Sequence, residues 1–148
     1  MRTSVRAVVI KESKLLVMDR NRYGHKYIAL IGGGVEKGES PKEALKREVR
    51  EESTLEVANP RLIITLDAGA VYGLQYIYLC DYVSGEPKLS DNSIEQKMDK
   101  SGQNLYTPKW LDITDLEASN LLPAELKKQL IDFTRNGFPD KPLKLTIT

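Results

Sequence analysis

Apolar residues fall along the chain in short, β-branched runs separated by polar breaks. Val5 to Ile10 forms one run, and Leu15 to Met18 follows after Lys11-Glu12-Ser13-Lys14, which predicts two strands joined by a tight turn. Asp19 to His25 is polar, contains Gly24, and reads as a loop. Lys26 to Ile31 is again strand-like and runs into Gly32-Gly33-Gly34, where the backbone either turns sharply or is closely approached by another group. Arg61 to Leu66 and Leu74 to Tyr82 read as two paired strands with Gly69 and Gly73 in their connection. Tyr106 to Leu111 is a further strand, displaced towards an edge by Pro108 because proline cannot donate to a ladder. The tail from Leu143 to Thr148 adds a short strand or stays loose.

Two segments change period from 2 to 3.6. Ser40-Pro41-Lys42-Glu43 combines an N-cap serine, a proline at the first helical position and a glutamate three residues after the cap, so a helix is expected from Pro41 to about Ser53. Leu122-Pro123 opens a second helix, with Leu126, Leu130, Ile131 and Phe133 at helical spacing and Asn136-Gly137 as its stop. Between the last strands, Ser84 to Gln103 is polar and reads as a long surface loop, with a helical turn around Ile94 to Met98. Strands before, between and after two helices predict a mixed α/β or α+β fold. A length of 148 residues suits one domain.

Composition narrows the function classes. Twenty-two Lys and Arg stand against 21 Asp and Glu, a formal charge of +1, so the basic footprint of a dedicated nucleic-acid binder is missing. One cysteine, Cys80, and one histidine, His25, leave neither a disulfide nor a Cys/His zinc set. No apolar run reaches the length of a membrane span or a secretory leader. The expectation is a cytoplasmic protein without a membrane partner.

The candidate chemistry lies on the first helix. At 100° per residue, Glu48, Glu51 and Glu52 share an arc of about 100° next to the apolar stripe of Leu45 and Val49. Like charges three and four residues apart repel. Arg47 stands four residues before Glu51 and can pair with it, but one guanidinium cannot neutralise three acids. A hard divalent cation can, and Mg²⁺ takes one or two carboxylates together with waters and substrate phosphates. Glu36 and Glu39 add oxygens on the preceding loop, and the glycine run lets a ligand approach the backbone.

These residues carry a family resemblance. Gly33, five residues, Glu39, seven residues, Arg47-Glu48-Val49, one residue and Glu51-Glu52 is similar to the signature of the Nudix hydrolases. Leu55 matches the closing aliphatic position, while Thr54 and Ile31 stand where the family carries its penultimate glycine and, often, a proline. The resemblance implies an α/β/α sandwich with a mixed β-sheet and hydrolysis of a nucleoside diphosphate linked to some group X. It implies Mg²⁺ or Mn²⁺ held by Glu48, Glu51 and Glu52, with Glu39 supporting the site and Arg47 holding a glutamate in position. Gly33 and Gly34 would face the substrate. The general base is less defined. Glu95, in the long loop, is the candidate, with Glu86, Asp91 and Asp99 as rivals.

The ordinary readings of the other residues stay beside this one. Cys80 reads as a small core residue, His25 as a surface or structural residue, and most of Tyr23, Tyr27, Tyr76, Tyr78, Tyr82, Tyr106 and Trp110 as strand and core residues rather than base-stacking platforms. Lys97 to Lys100 reads as solvated surface. The expected substrate is a nucleoside triphosphate, oxidised or not, giving a monophosphate and pyrophosphate. The alternatives are ADP-ribose, a nucleotide sugar or a dinucleoside polyphosphate, an RNA end, and a non-catalytic nucleotide-binding module on the same fold. A homodimer is compatible with any of these.

Overall fold

The computed structural model describes residues 2–88 and 104–147. β1 (Thr3–Lys11) and β2 (Lys14–Arg22) are joined by Glu12-Ser13. Both turn residues have positive φ, 51° and 63°, as a two-residue hairpin that follows strand twist requires. β2 runs on to Arg22 and returns through Tyr23-Gly24 into β3 (His25–Ala29). The segment expected to be a loop from Asp19 to His25 is therefore mostly strand. Its side chains are polar because this end of the ribbon is only partly covered, while its backbone is paired with β3 on one edge and β7 (Asn104–Asp112) on the other.

The glycine run is also extended rather than turned. β4 (Ile31–Gly34) pairs antiparallel with β1, Val5 opposite Gly33 and Arg6 opposite Gly32. Close approach is what needs glycine here. A Cβ on Gly32 would lie 1.8 Å from the Val5 carbonyl oxygen, a clash with backbone that no rotamer relieves.

The main sheet runs β4, β1, β6 (Leu74–Ser84), β5 (Glu56–Asp67), β8 (Leu143–Thr146). β1 with β6 and β5 with β8 are parallel, and the other pairs are antiparallel. β3, β2 and β7 form a second, antiparallel ribbon, joined to the main sheet where Ile10 and Lys11 meet Leu15 and Lys14. Pro108 lies on β7, which among the described residues pairs only with β2, the edge position expected for it. The β5–β6 connection holds Gly69 and Gly73 around a short helix, α2 (Gly69–Tyr72).

α1 (Pro41–Ser53) and α3 (Ala124–Asn136) cover opposite faces of the sheet. Strand alternation sorts the core accordingly. Val5, Ala7 and Val9 pack with Ala44, Leu45 and Val49 of α1, whereas Val8, Ile64 and Ile77 pack with Leu126, Leu130 and Phe133 of α3. Each such fully buried aliphatic side chain contributes about 1.5–3 kcal/mol. The arrangement is the expected α/β/α sandwich. Cys80 is buried in the α1-side cluster, and burial pushes its thiol pKa up to about 12, which makes it a core residue. No helix among the described residues is long and apolar enough to cross a membrane.

Candidate active site

The site is built outward from the start of α1. Ser40 Oγ accepts from the Glu43 N–H at 3.2 Å, and Glu43 Oε1 accepts from the Ser40 N–H at 3.1 Å, a complete capping box with Pro41 at the first position. That fixes the phase of the helix and hence the direction of every glutamate that follows.

Arg47 is the hub. Its Nε and Nη2 donate to the two carboxylate oxygens of Glu39 at 2.7 and 3.0 Å, and Nη1 donates to Glu48 at 2.8 Å and Glu51 at 3.3 Å. Nη2 also donates to the Gly34 carbonyl at 3.1 Å, which ties the helix to β4. Only a planar fork of five N–H groups can serve so many acceptors at once. The guanidinium, helped by the Glu36 N–H, holds the Glu39 carboxyl down at about 2. Glu39 in turn raises the Arg47 pKa above its ordinary value, against the opposing effect of burial.

Glu48 reaches β4. Its carboxyl fills the place a Cβ on Gly33 would take, 2.6 Å from that position. Glu48 and the buried Glu52 line a cleft of about 270 Å³. Arg2, Arg6, Arg20 and Tyr106 line it as well, together with Gly32, Gly33 and Gly34. The Arg20 guanidinium carbon sits over the Tyr106 ring, 3.7 Å from its centroid, and Nη2 donates to Asn104 Oδ1 at 3.1 Å. Its Nε is buried and has no partner among the described residues. Burial lowers the pKa of Arg6, while Glu52 and Glu48 act to raise it.

The donor chemistry fits a hard divalent cation. Oxygen donors from Glu48 and Glu52 share one cleft with cationic groups suited to phosphate. No three acidic, histidine or cysteine side chains among the described residues converge as a ready-made metal cage, and Mg²⁺ does not need one, because water and substrate phosphates complete its octahedron. Glu51 is half-exposed on the Arg47 side of the helix.

α1 ends through Thr54, which stands where the family carries a glycine. This residue takes the left-handed conformation usual for glycine, φ 62° and ψ 6°. Its N–H donates to the Arg50 carbonyl, and its Oγ1 donates to the Glu86 carbonyl at 2.9 Å. The Lys88 N–H donates to the Ser53 carbonyl, so the chain after β6 closes the end of the helix.

Glu39, Arg47, Glu48 and Glu51 are thus brought together, with Glu52, Gly33 and Gly34 at the cleft. Glu86 sits at the helix exit. Glu95, Asp91, Asp99, the turn around Ile94 to Met98 and the Lys97 to Lys100 stretch lie outside the described residues. The arginines of the cleft escaped the sequence reading. For Arg6 a signal existed, since a charge stands in the middle of the apolar run Val5-Arg6-Ala7-Val8. Nothing in the sequence marks Arg2 or Arg20.

The comparisons agree with this geometry. The chain is 30% identical over 76 residues to the NAD-capped RNA hydrolase NudC of Edwardsiella ictaluri, an alignment spanning 51% of this chain and only 30% of that relative's length. Among solved structures, a NUDIX hydrolase from Nitrosomonas europaea superposes with a TM-score of 0.70 at 21% identity, covering 96% of this chain and 93% of the other. An ADP-ribose pyrophosphatase from Streptococcus suis superposes with a TM-score of 0.66 at 19% identity, covering 99% and 98%. At these identities the structural likeness speaks for the fold. The NUDIX domain family model matches residues 1–135, and with the glutamate helix, its arginine hub and the glycine strand in place, the chain belongs to the Nudix hydrolase family.

Proposed function

We propose that this chain hydrolyses a phosphoanhydride bond of a nucleoside triphosphate, giving the monophosphate and pyrophosphate. The observation that carries the choice is the arginine-rich wall. Arg2, Arg6 and Arg20 line one cleft with Glu48 and Glu52, a surplus of cations that matches a triphosphate better than a two-phosphate linkage.

In this reading Glu48 and Glu52, with Glu51 beside them, hold Mg²⁺ or Mn²⁺. Such an ion supplies a lowered pKa for bound water and neutralises phosphate charge. Arg47 positions the carboxylates, and its bidentate hold on Glu39 keeps the loop before α1 in place. Arg20, stacked on Tyr106, offers its unpartnered N–H to a phosphoryl oxygen, and Arg6 faces the same chain of phosphates. Gly33 leaves room for the Glu48 carboxyl against β4, and the open space beside Gly34 is where the anhydride would lie. Water oxygen bonds to phosphorus, the bridging P–O bond breaks, and pyrophosphate departs with the electron pair while the water's proton passes to a base.

The test is release of pyrophosphate from nucleoside triphosphates, and of nucleoside monophosphate from ADP-ribose, nucleotide sugars and dinucleoside polyphosphates, with Mg²⁺ or Mn²⁺. Turnover of triphosphates is expected, lost with a chelator and reduced at least a hundredfold in Glu52→Gln. Metal-dependent turnover confined to ADP-ribose or nucleotide sugars would move the substrate to the two-phosphate class. Absence of turnover across the panel would remove the hydrolase reading.

A further inference from the structure

Asn104, the first residue of β7, is only 6% exposed. Asparagine is uncommon in strands, and an amide taken out of water is unfavourable unless it is bonded. Its Oδ1 accepts from Arg20 Nη2 at 3.1 Å, a bond that crosses the ribbon from β2 to β7. The residue opposite Asn104 in the register is Arg22, not Arg20. The bond therefore runs diagonally, to the neighbour two positions along on the same face.

The rings beside Arg20 follow from the same register. Tyr27 on β3 and Tyr106 on β7 both stand directly opposite Arg20. The guanidinium carbon lies 5.6 Å from the first ring centroid and 3.7 Å from the second, both within cation–π range. A ring face sets where a guanidinium lies but does not distinguish its nitrogens. A hydrogen bond to one named nitrogen is directional, so Asn104 supplies the orientation that the two tyrosines cannot. With Nη2 committed to Asn104, the Nε–H stays buried and without a partner among the described residues, on a side chain that lines the glutamate cleft. A buried donor left in that state is costly until an acceptor arrives.

Resting on the hydrolase reading above, we propose that Asn104 is a positioning residue, which turns the Arg20 fork so that its Nε side meets a phosphoryl oxygen of the incoming substrate. Asn104 touches no substrate itself. Donors held in place beforehand need no reorientation at the moment of reaction, and Asn104 contributes to turnover through Arg20 alone. Tyr27 and Tyr106 confine the guanidinium, and the Asn104 amide oxygen sets which of its edges faces the cleft.

The test is a double-mutant cycle on the full chain with Asn104→Ala and Arg20→Gln. It is read as kcat/KM for a nucleoside triphosphate and as calorimetric binding of inorganic triphosphate. Asn104→Ala is expected to lower kcat/KM roughly tenfold beside Arg20, to weaken triphosphate binding in the same direction, and to change neither in the Arg20→Gln background. A merely structural role costs the same in both backgrounds. Asn104→Asp keeps the acceptor, and so the orientation, but offsets the charge that draws a polyanion in. It should raise KM and leave kcat unchanged. If Asn104→Ala does not fold, Asn104→Asp decides, and a rise in KM that persists in the Arg20→Gln background overturns the proposal. Equal losses from Asn104→Ala in the two backgrounds, or wild-type kcat/KM in Asn104→Ala, overturn it even if triphosphates are hydrolysed. Coupling seen only in triphosphate binding, in a chain that hydrolyses nothing, would uphold the positioning and remove the hydrolase.

Discussion

Arg47 and the two glycines before it show how single residues are constrained at this site. Arg47→Lys keeps the charge but supplies one compact ammonium in place of a fork that reaches Glu39, Glu48, Glu51 and Gly34 at once. Turnover should fall by roughly tenfold or more, as steady-state kinetics will show, with the fold retained by circular dichroism. Gly33→Ala and Gly32→Ala should separate function from folding. A methyl at Gly33 meets only the end of the Glu48 side chain, so Glu48 moves, metal dependence weakens and stability changes little. A methyl at Gly32 meets the Val5 backbone and should destabilise the β1–β4 pair, visible as a lower Tm.

Glu39 makes a pH prediction at the same scale. Its folded pKa is about 2, held down by Arg47, below the ordinary carboxylate value near 4. Between those values the unfolded chain binds more protons, so stability rises with pH across that window. Glu39 thus contributes stability that is fully present above the unfolded pKa and lost as pH falls towards 2. Glu39→Gln should flatten the acid limb of a Tm-against-pH curve between about pH 4.5 and 2. An unchanged limb would show that the pair does not survive in solution.

Among the elements, the helices were legible because their ends are written in the chain. Ser40, Pro41 and Glu43 set the start of α1, and Gly137 the end of α3. The strands were legible where one face is buried, as in β1 and β6. They were misread where pairing is carried by backbone alone, from Asp19 to Arg22 and through the glycines of β4. The helix exit was open in the sequence, since a threonine there either turns differently or accepts strain. It accepts the strain, and its hydroxyl bonds to Glu86. Left-handed backbone costs a non-glycine residue about 1–2 kcal/mol, and the hydroxyl bond returns about 0.5–1.5 kcal/mol. Thr54→Ala keeps the strain and loses the bond, whereas Thr54→Gly loses both. In urea denaturation the glycine variant should exceed the alanine variant by about 1 kcal/mol.

For the whole molecule, the distribution of charge matters more than its sum. A formal charge of +1 hides a cleft with glutamates on one side and arginines on the other. The acidic half could be read from spacing on one helix. The basic half could not, because Arg2 just before β1, Arg6 on β1 and Arg20 on β2 meet only through the sheet. If these arginines receive the phosphates, KM for a triphosphate should climb with added salt while kcat holds, since salt screens the long-range attraction that draws a polyanion into the cleft. A KM indifferent to salt would argue against that role.

The place of β1 between β4 and β6 also governs how the molecule comes into being. One of its partners lies about two dozen residues ahead and the other some seventy, while β2 waits for β7 still further along. α1, with its glutamates, is synthesised before either long-range pairing can form. Contacts of such separation impose a loop-closure cost before any gain. Refolding from denaturant should therefore occupy the milliseconds-to-seconds range of sheet-rich domains. On the ribosome, the carboxylates should exist as a helix before they exist as a site, the cleft closing only once β6 and β7 have emerged.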